Sequence, residues 1–383
     1  MKALRAFFEM TALSLLPALV LLLALAGERP AAKAAPFPEQ ESSPAAPSAS
    51  ASPPVLWTGD ELPVQAGAAE AAASVPDLPV LEEVPREEAA SAEDRPGTRD
   101  ASVSVDVLFG EEVRSLSLRD YLLGVVAAEM PASFRLEALE AQAVAARTDT
   151  LYRMLVSHPH PEAACCTDPG CCKAWCSQEE LRERWGGDYD RWFSRIEEAV
   201  DATDGEILVY EGEPIFAAFH AASDGYTEDS ENVWLAALPY LRSVDTRETE
   251  AEVPGFRRSV LFTGEELAGR IREQVPDAEL SGEPEDWLTL VQRSPSGRLL
   301  SLRVGGVTLS GSAFRSLLGL RSANVTWQEE GDGLRFETTG FGHGVGLSQY
   351  GAEAMAEAGS AWEEILLHYY TGAVLADMEE VDR

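Results

Sequence analysis

Between Arg29 and about Asp100 the chain runs through Pro, Ala, Ser and Glu with few aromatic residues, and this stretch limits where a fold can form. A segment so poor in large apolar side chains cannot bury enough surface to offset the entropy of ordering it. Residues 29–100 are therefore read as a disordered linker, whose root-mean-square span as a flexible chain is about 45–50 Å. Ahead of it, Lys2 and Arg5 precede an apolar run from Met10 to Gly27, broken only by Thr11, Ser14 and Pro17. A membrane span takes about 20 apolar residues, so residues 1–28 are adequate for a single-pass anchor. Basic residues in front and Glu28 behind favour a cytoplasmic N-terminus with the remainder exported. Ala24-Leu25-Ala26 also resembles a cleavage site, so a removed signal peptide is the alternative. Both readings put the folded part outside the membrane.

Residues 101–376 carry the folding signals of one domain. Ser102–Phe109 alternates as a strand does, and Glu112–Leu116 follows a turn at Gly110-Glu111. Ser117 is placed to cap a helix running to about Met130, where Pro131 stops it, and Ser133 to cap a longer, alanine-rich helix reaching about Leu155. Helices are expected at Gln178–Trp185, Tyr189–Ala202, Gly264–Gln274, Ser310–Leu318, Ser348–Ala358 and Ala361–Tyr370. A hairpin of Glu206–Tyr210 and Pro214–Phe219, and strands at Leu288–Arg293, Leu299–Val304 and Gly333–Thr338, complete the pattern. Helices and strands mix without a βαβ rhythm, so the fold class is α+β.

Lys plus Arg is 30 against 65 Asp plus Glu, a formal net charge of −35. That field repels a phosphate polymer and excludes nucleic acid as a natural partner, while a neutral or weakly charged glycan is compatible with it. Three segments carry candidate chemistry. In Asp120–Pro131, Glu129 ends an apolar helix beside Val125, Val126, Met130 and Phe134. Apolar surroundings raise a carboxyl pKa, which is what a glycosidic general acid needs near neutral pH; the alternative is a helix-end glutamate paired with an arginine. In His220–Trp234, a polar and aromatic loop leaves a strand, with His220, Ser223 and Trp234 as candidate ligand contacts; a turn with Trp234 tucked into the core is the other reading. In Gly340–Gly351, alternating glycines permit close backbone approach around His343, Gln349 and Tyr350, and His343 is either a functional donor or a packed histidine.

All five cysteines lie between Cys165 and Cys176. Such clustering points to one local site, either a metal centre or disulfides. The odd number leaves one thiol unpaired in any disulfide scheme.

Taken in order, Val125-Val-Ala-Ala-Glu-Met-Pro131, Ala141-Gln-Ala-Val-Ala-Ala-Arg147, Ser230-Glu-Asn-Val-Trp234 and Gly342-His-Gly-Val-Gly-Leu-Ser-Gln-Tyr-Gly-Ala352 resemble the stage II sporulation protein D family. These are peptidoglycan-degrading proteins of endospore formation, with amidase-enhancer relatives. The resemblance covers roughly Val103 to Ala373. It implies a lytic transglycosylase acting on glycan strands stripped of stem peptides, with Glu129 as catalytic acid/base and Arg147 as a supporting arginine that orients it or contacts substrate. It implies a structural zinc on His160, Cys166, Cys171 and Cys172, with Cys165 and Cys176 as substitutes or spectators. It also implies a sporulation amidase and a membrane partner at engulfment. The chain departs from the family in having Glu140 where lysine is common, and Ala221 and Ala222 after His220 where Ser and Thr are common. Within the family, a non-catalytic amidase enhancer is the alternative to an enzyme.

Overall fold

The computed structural model describes residues 98–234 and 236–381. The expected anchor at 1–28 and nearly all of the expected linker lie outside the described residues. Among the described residues no helix is long and apolar enough to cross a membrane. The described residues begin just inside the expected linker. Thr98–Ser102 forms a short helix, α1, and Asp100 within it is fully buried against a cation.

The described residues fold as a mixed α and β structure around two principal hydrophobic cores. The first is built from β1 (Ser104–Phe109), β2 (Glu112–Ser117), α2 (Leu118–Glu129) and α3 (Leu136–Tyr152). β1 pairs with β2 antiparallel and, on its other edge, with the two-residue β3 (Cys165–Cys166) in parallel. Ser117 caps α2 as expected, its hydroxyl accepting from the Asp120 N–H. Helix α3 starts at Leu136, later than expected, without a Ser133 cap; the Arg135 N–H donates to Glu353 at 2.6 Å instead. Its alanines let neighbours approach on nearly every side, so Ala138, Ala141, Ala143, Ala145 and Ala146 are all buried. After Tyr152 the helix widens into a π turn, Arg153–Ser157, that His158 ends at φ +46°.

Helices α4 (Gln178–Trp185) and α5 (Tyr189–Ala202) follow, α5 packing on α3. The hairpin is only half as predicted. β4 (Glu206–Tyr210) pairs with β5 (Glu213–Pro214) and with the distant β14 (Val374–Asp377). Phe219–His220, β6, leaves the hairpin because it pairs in parallel with β13 (Leu347–Ser348). A short helix, α6 (Glu231–Trp234), closes this part.

The second core lies within residues 262–336. β7 (Arg257–Thr263) pairs with β12 (Gly333–Thr339), which pairs with β11 (Val325–Glu330). A second sheet holds β8 (Leu288–Arg293), β9 (Leu299–Val304) and β10 (Val307–Ser310). Helices α7 (Gly264–Gln274) and α8 (Gly311–Leu318) supply Leu267, Ile271, Phe314 and Leu317 to this core. The chain then returns to the first core through β13, α9 (Gln349–Glu357) and α10 (Trp362–Tyr369).

Candidate active site

Glu129 is the last residue of α2. The helix buries Leu122, Val125 and Val126 completely, which fixes its end against the core. A carboxylate at a helix C-terminus faces the negative end of the macrodipole, and the last turn of α2 holds no basic residue. The side chain keeps a partial solvent opening but is hemmed in by protein. Burial is the dominant influence and raises its pKa above the ordinary 4.5. Three groups pull the other way. The Ala174 N–H donates to Oε1 at 2.8 Å, and the nearby Lys173 ammonium and Gln349 side chain also favour the charged form. Gln349 is itself held by the buried Gln142, its Nε2 donating to Oε1 at 3.2 Å.

The loop that delivers Lys173 and Ala174 is the cysteine segment. The ligand atoms of His160, Cys166, Cys171 and Cys172 all lie within 4.8 Å of one another. His160 Nε2 is 3.4 Å from Cys172 Sγ and 3.6 Å from Cys171 Sγ, and the two sulfurs are 3.9 Å apart. Tetrahedral zinc with bonds near 2.3 Å to sulfur and about 2.0–2.1 Å to nitrogen has edges of roughly 3.8 and 3.5 Å. Those three separations match the edges of a four-coordinate divalent site, with Cys166 as a fourth donor within 4.8 Å. All five cysteines are free. Burial and the neighbouring Cys172 push the Cys166 thiol up to about 12, a balance that a bound cation reverses because its ligands are thiolates. Cys165 and Cys176 stand outside the cluster, and Arg184 donates to the Cys176 sulfur at 3.1 Å.

The far side of this loop is latched to α2. Trp175 lies on Gly124, where a Cβ would come within 2.2 Å of the indole Nε1, and meets Phe109 edge-on at 5.0 Å. The Cys176 N–H donates to the Gly124 carbonyl at 3.2 Å. Lys173 is bound to Asp149 of α3, which also accepts from Arg153 at 2.7 Å. The metal-type cluster, the latch on α2 and the N–H on Glu129 thus belong to one short run of chain.

The other expected site residues divide. Gln349 reaches Glu129. Tyr350 follows it, half-buried, with its ring edge-on to Phe134 at 5.0 Å. His220 and Ser223 do not face a ligand as expected. Both are buried, with Ser223 fully inaccessible. The His220 Nδ1–H is assigned as donor to the Val345 carbonyl at 3.2 Å, so Nε2 accepts from the Ser223 hydroxyl at 2.6 Å. Burial, with His343 and Arg298 adding, holds His220 well below the ordinary histidine range and keeps it neutral. His343 is half-buried; its Nδ1 accepts from the Val345 N–H at 3.1 Å, and burial drives its pKa down to about 3. Trp234 is wedged between Phe216, at 5.3 Å, and His343, at 4.9 Å.

Arg147 requires a correction. It is fully buried and none of its hydrogen bonds goes to Glu129. Nε and Nη2 grip the Asp100 carboxylate at 2.6 to 3.0 Å, and Nη1 donates to the Glu206 carbonyl at 3.1 Å. Burial nonetheless outweighs this attraction and leaves Asp100 above its usual range. Arg147 is a structural tie between α1, α3 and the start of β4. Arg147→Ala, which strands a buried carboxylate, should cost about 3–5 kcal/mol in denaturant unfolding. The same variant should leave the pH profile of the surviving folded protein unchanged.

Sequence reasoning missed Lys173, Ala174 and Gln142. Their signal was position alone: the first two directly follow Cys172, and Gln142 lies five residues before Arg147 on the alanine-rich helix.

The family's sequence model, described as SpoIID, Stage II sporulation protein, matches residues 110–210. The chain is 35% identical over 281 residues to Stage II sporulation protein D of Bacillus subtilis (strain 168), covering 73% of this chain and 80% of that protein. It is 36% identical over 292 residues to the protein of the same name from Bacillus amyloliquefaciens, covering 75% and 82%. The chain belongs to the stage II sporulation protein D family. A protein called amidase enhancer, also from Bacillus subtilis (strain 168), is 29% identical over 301 residues, covering 66% of this chain and 40% of that protein. For this SpoIID-family chain the raised pKa of Glu129 has a consequence in stability. The folded state holds that proton to higher pH than the unfolded chain, so stability falls as pH rises from about 4.5 through the folded value. Glu129→Gln should therefore melt higher than the wild type at about pH 7 and match it below about pH 4, as read by thermal unfolding at both values.

Proposed function

We propose that the chain is a peptidoglycan lytic transglycosylase in which Glu129 is both acid and base. One observation supports this most directly. Glu129 is held towards its neutral form, and the groups that perturb it, Ala174, Lys173 and Gln349, include no second acid. Ordinary glycosidases use two carboxyl groups. A lytic transglycosylase needs one, because the C6 hydroxyl of the muramic acid replaces water. Protonated Glu129 donates to the bridging oxygen; the C1–O bond breaks, leaving an oxocarbenium-like sugar and a carboxylate. The carboxylate then takes the proton of the C6 hydroxyl as that oxygen closes onto C1, giving a 1,6-anhydro end. A nucleophile within the same sugar supplies effective molarity equivalent to about 7–11 kcal/mol in well-oriented cases.

Ala174 N–H and Gln349 orient the carboxyl and take up charge when it ionises. Zinc on His160, Cys166, Cys171 and Cys172 would cross-link the loop and so fix Ala174. The proposed setting, which the family resemblance supports, is the cell wall during engulfment, with a sporulation amidase and a membrane partner, and with residues 1–28 proposed as a membrane anchor whose N-terminus is cytoplasmic. The likeness to an amidase enhancer supports a second reading, stimulation of an N-acetylmuramoyl-L-alanine amidase without cutting sugar. Purified full chain on peptide-free glycan strands separates the two: soluble fragments from the protein alone support the first reading, and fragments or peptides only with an amidase present support the second.

A further inference from the structure

The loop between α6 and β7 buries a carboxyl that the proposed chemistry does not use. Glu248 is 6% exposed, and Oε1 accepts from two neutral donors, the Ser223 N–H at 2.7 Å and the Ser348 hydroxyl at 2.6 Å. Burying an acid among neutral partners is costly, and burial raises the pKa of Glu248 above its ordinary value. The two donors come from opposite sides of a slight junction. Ser223 follows β6 and Ser348 ends β13, and those strands pair over only two residues each. The Tyr350 N–H adds one bond across the junction, to the Ala221 carbonyl at 3.0 Å. The Glu248 carboxyl bridges the same two segments from the side.

Ser348 is also the cap of α9. A hydroxyl has one proton to give. Donated to Glu248, it leaves the oxygen free to accept from the Gly351 N–H at 3.3 Å. Glu248 thereby sets the orientation of the group that starts the helix. Gly351 makes room for this contact: a Cβ there would lie 2.1 Å from the Tyr369 hydroxyl oxygen and 2.7 Å from Glu248 Oε2. The first residue of α9 is Gln349, whose Nε2 donates to Gln142 Oε1 at 3.2 Å and whose side chain acts on Glu129.

We propose that Glu248 is a positioning residue for Glu129: its carboxyl clips the start of α9 to the loop after β6 and so holds Gln349 in place against Glu129. The glycan-cleaving reading above enters only through the effect on rate. The groups facing Glu248 are Ser223, Ser348, Thr246 and Tyr369, with Arg298 acting electrostatically. Those facing Glu129 are Ala174, Lys173 and Cys176 of the cysteine loop, and Gln349. The clip works through an accepting oxygen and not through charge. Without it Gln349 loses its aim, and its support for the ionised form of Glu129 goes with it. Among the described residues neither Glu248 Oε2 nor the Tyr369 hydroxyl has a hydrogen-bond partner. In Glu248→Gln an amide N–H stands in place of Oε2 beside that hydroxyl, while the remaining oxygen still accepts from Ser223 and Ser348.

The test uses full-chain Glu248→Ala, Glu248→Gln, Gln349→Ala and the double variant Glu248→Ala/Gln349→Ala. Carbon-13 NMR of labelled glutamate carboxyls reads the titration of Glu129 without turnover, its signal identified by loss in Glu129→Gln. The Glu129 pKa should rise in Glu248→Ala as in Gln349→Ala, should rise no further in the double variant, and should return towards wild type in Glu248→Gln. On peptide-free strands kcat should fall about tenfold in Glu248→Ala with KM within about twofold, as losing one hydrogen bond to a charged group predicts. The double variant should be no slower than Gln349→Ala alone. If Glu248→Ala does not fold, Ser348→Ala cuts the same clip from the other side and should give the same pattern. A Glu129 pKa that stays put in the folded variant, or effects that add to those of Gln349→Ala, overturns the proposal and leaves Glu248 a purely structural group. A wild type that cuts no strand, with the NMR pattern intact, removes the cleavage reading and leaves the clip standing.

Discussion

Glu129→Gln should lower the rate of glycan cleavage by at least about 10³-fold. A positioned general acid–base contributes about 10²–10⁴-fold, and here both proton transfers fall on the same group. Glutamine keeps the shape and an acceptor for the Ala174 N–H, which donates to Oε1 at 2.8 Å, so the loop and α2 should remain in place. The loss would then be one of proton transfer, with kcat falling and KM little changed. In the wild type, activity should decline on the alkaline side with an apparent pKa above 4.5, since the reactive form is protonated and burial raises its pKa. Release of soluble fragments from peptide-free strands, followed across pH, checks both points. A Glu129→Gln protein retaining a tenth of wild-type activity would rule out the assigned role.

The second large effect concerns the cluster of His160, Cys166, Cys171 and Cys172. Metal analysis of the purified protein should find one zinc per chain. Strong chelation, or Cys172→Ser, should lower the melting temperature by about 10 °C or more, as expected for loss of several kcal/mol of linked binding energy. The two hydrophobic cores do not depend on this loop alone, so global unfolding is not expected. Activity should fall by at least about 100-fold, because Ala174 directly follows the ligand run and carries the N–H that holds Glu129. Rescue by added zinc should return both readouts together. Metal-free, fully active protein with its cysteines paired would contradict this picture.

Much of the site could be read along the chain because its parts are local. Ser117 as cap, Pro131 as stop and the apolar run between them placed Glu129 at a helix end. The spacing of His160, Cys166, Cys171 and Cys172 is likewise a short-range pattern, and the structure gathers those four side chains. What could not be read is long-range. β6 and β13 form a parallel pair of two residues each between segments more than a hundred positions apart, too short for any periodicity to report. β7 and β11 are largely exposed, so Arg257–Thr263 and Val325–Glu330 show little of the alternation that marks a half-buried strand. Arg147 was misjudged for the same reason: its partner Asp100 lies in a stretch whose composition resembles a linker, and nothing local announces that the carboxylate is buried. His220 and Ser223 sit in a polar loop that ordinarily faces ligands, yet their hydrogen bonds to each other and to Val345 turn them inward.

Cleavage in water enriched in oxygen-18 tests the one-carboxyl mechanism most directly. If the C6 hydroxyl of the same sugar is the nucleophile, the new muramyl ends carry no label, weigh one water less than hydrolysed ends, and vanish with Glu129→Gln. Heavy oxygen in those ends would mean that water attacks C1. Glu129 would then need a second acid or base, contradicting the account.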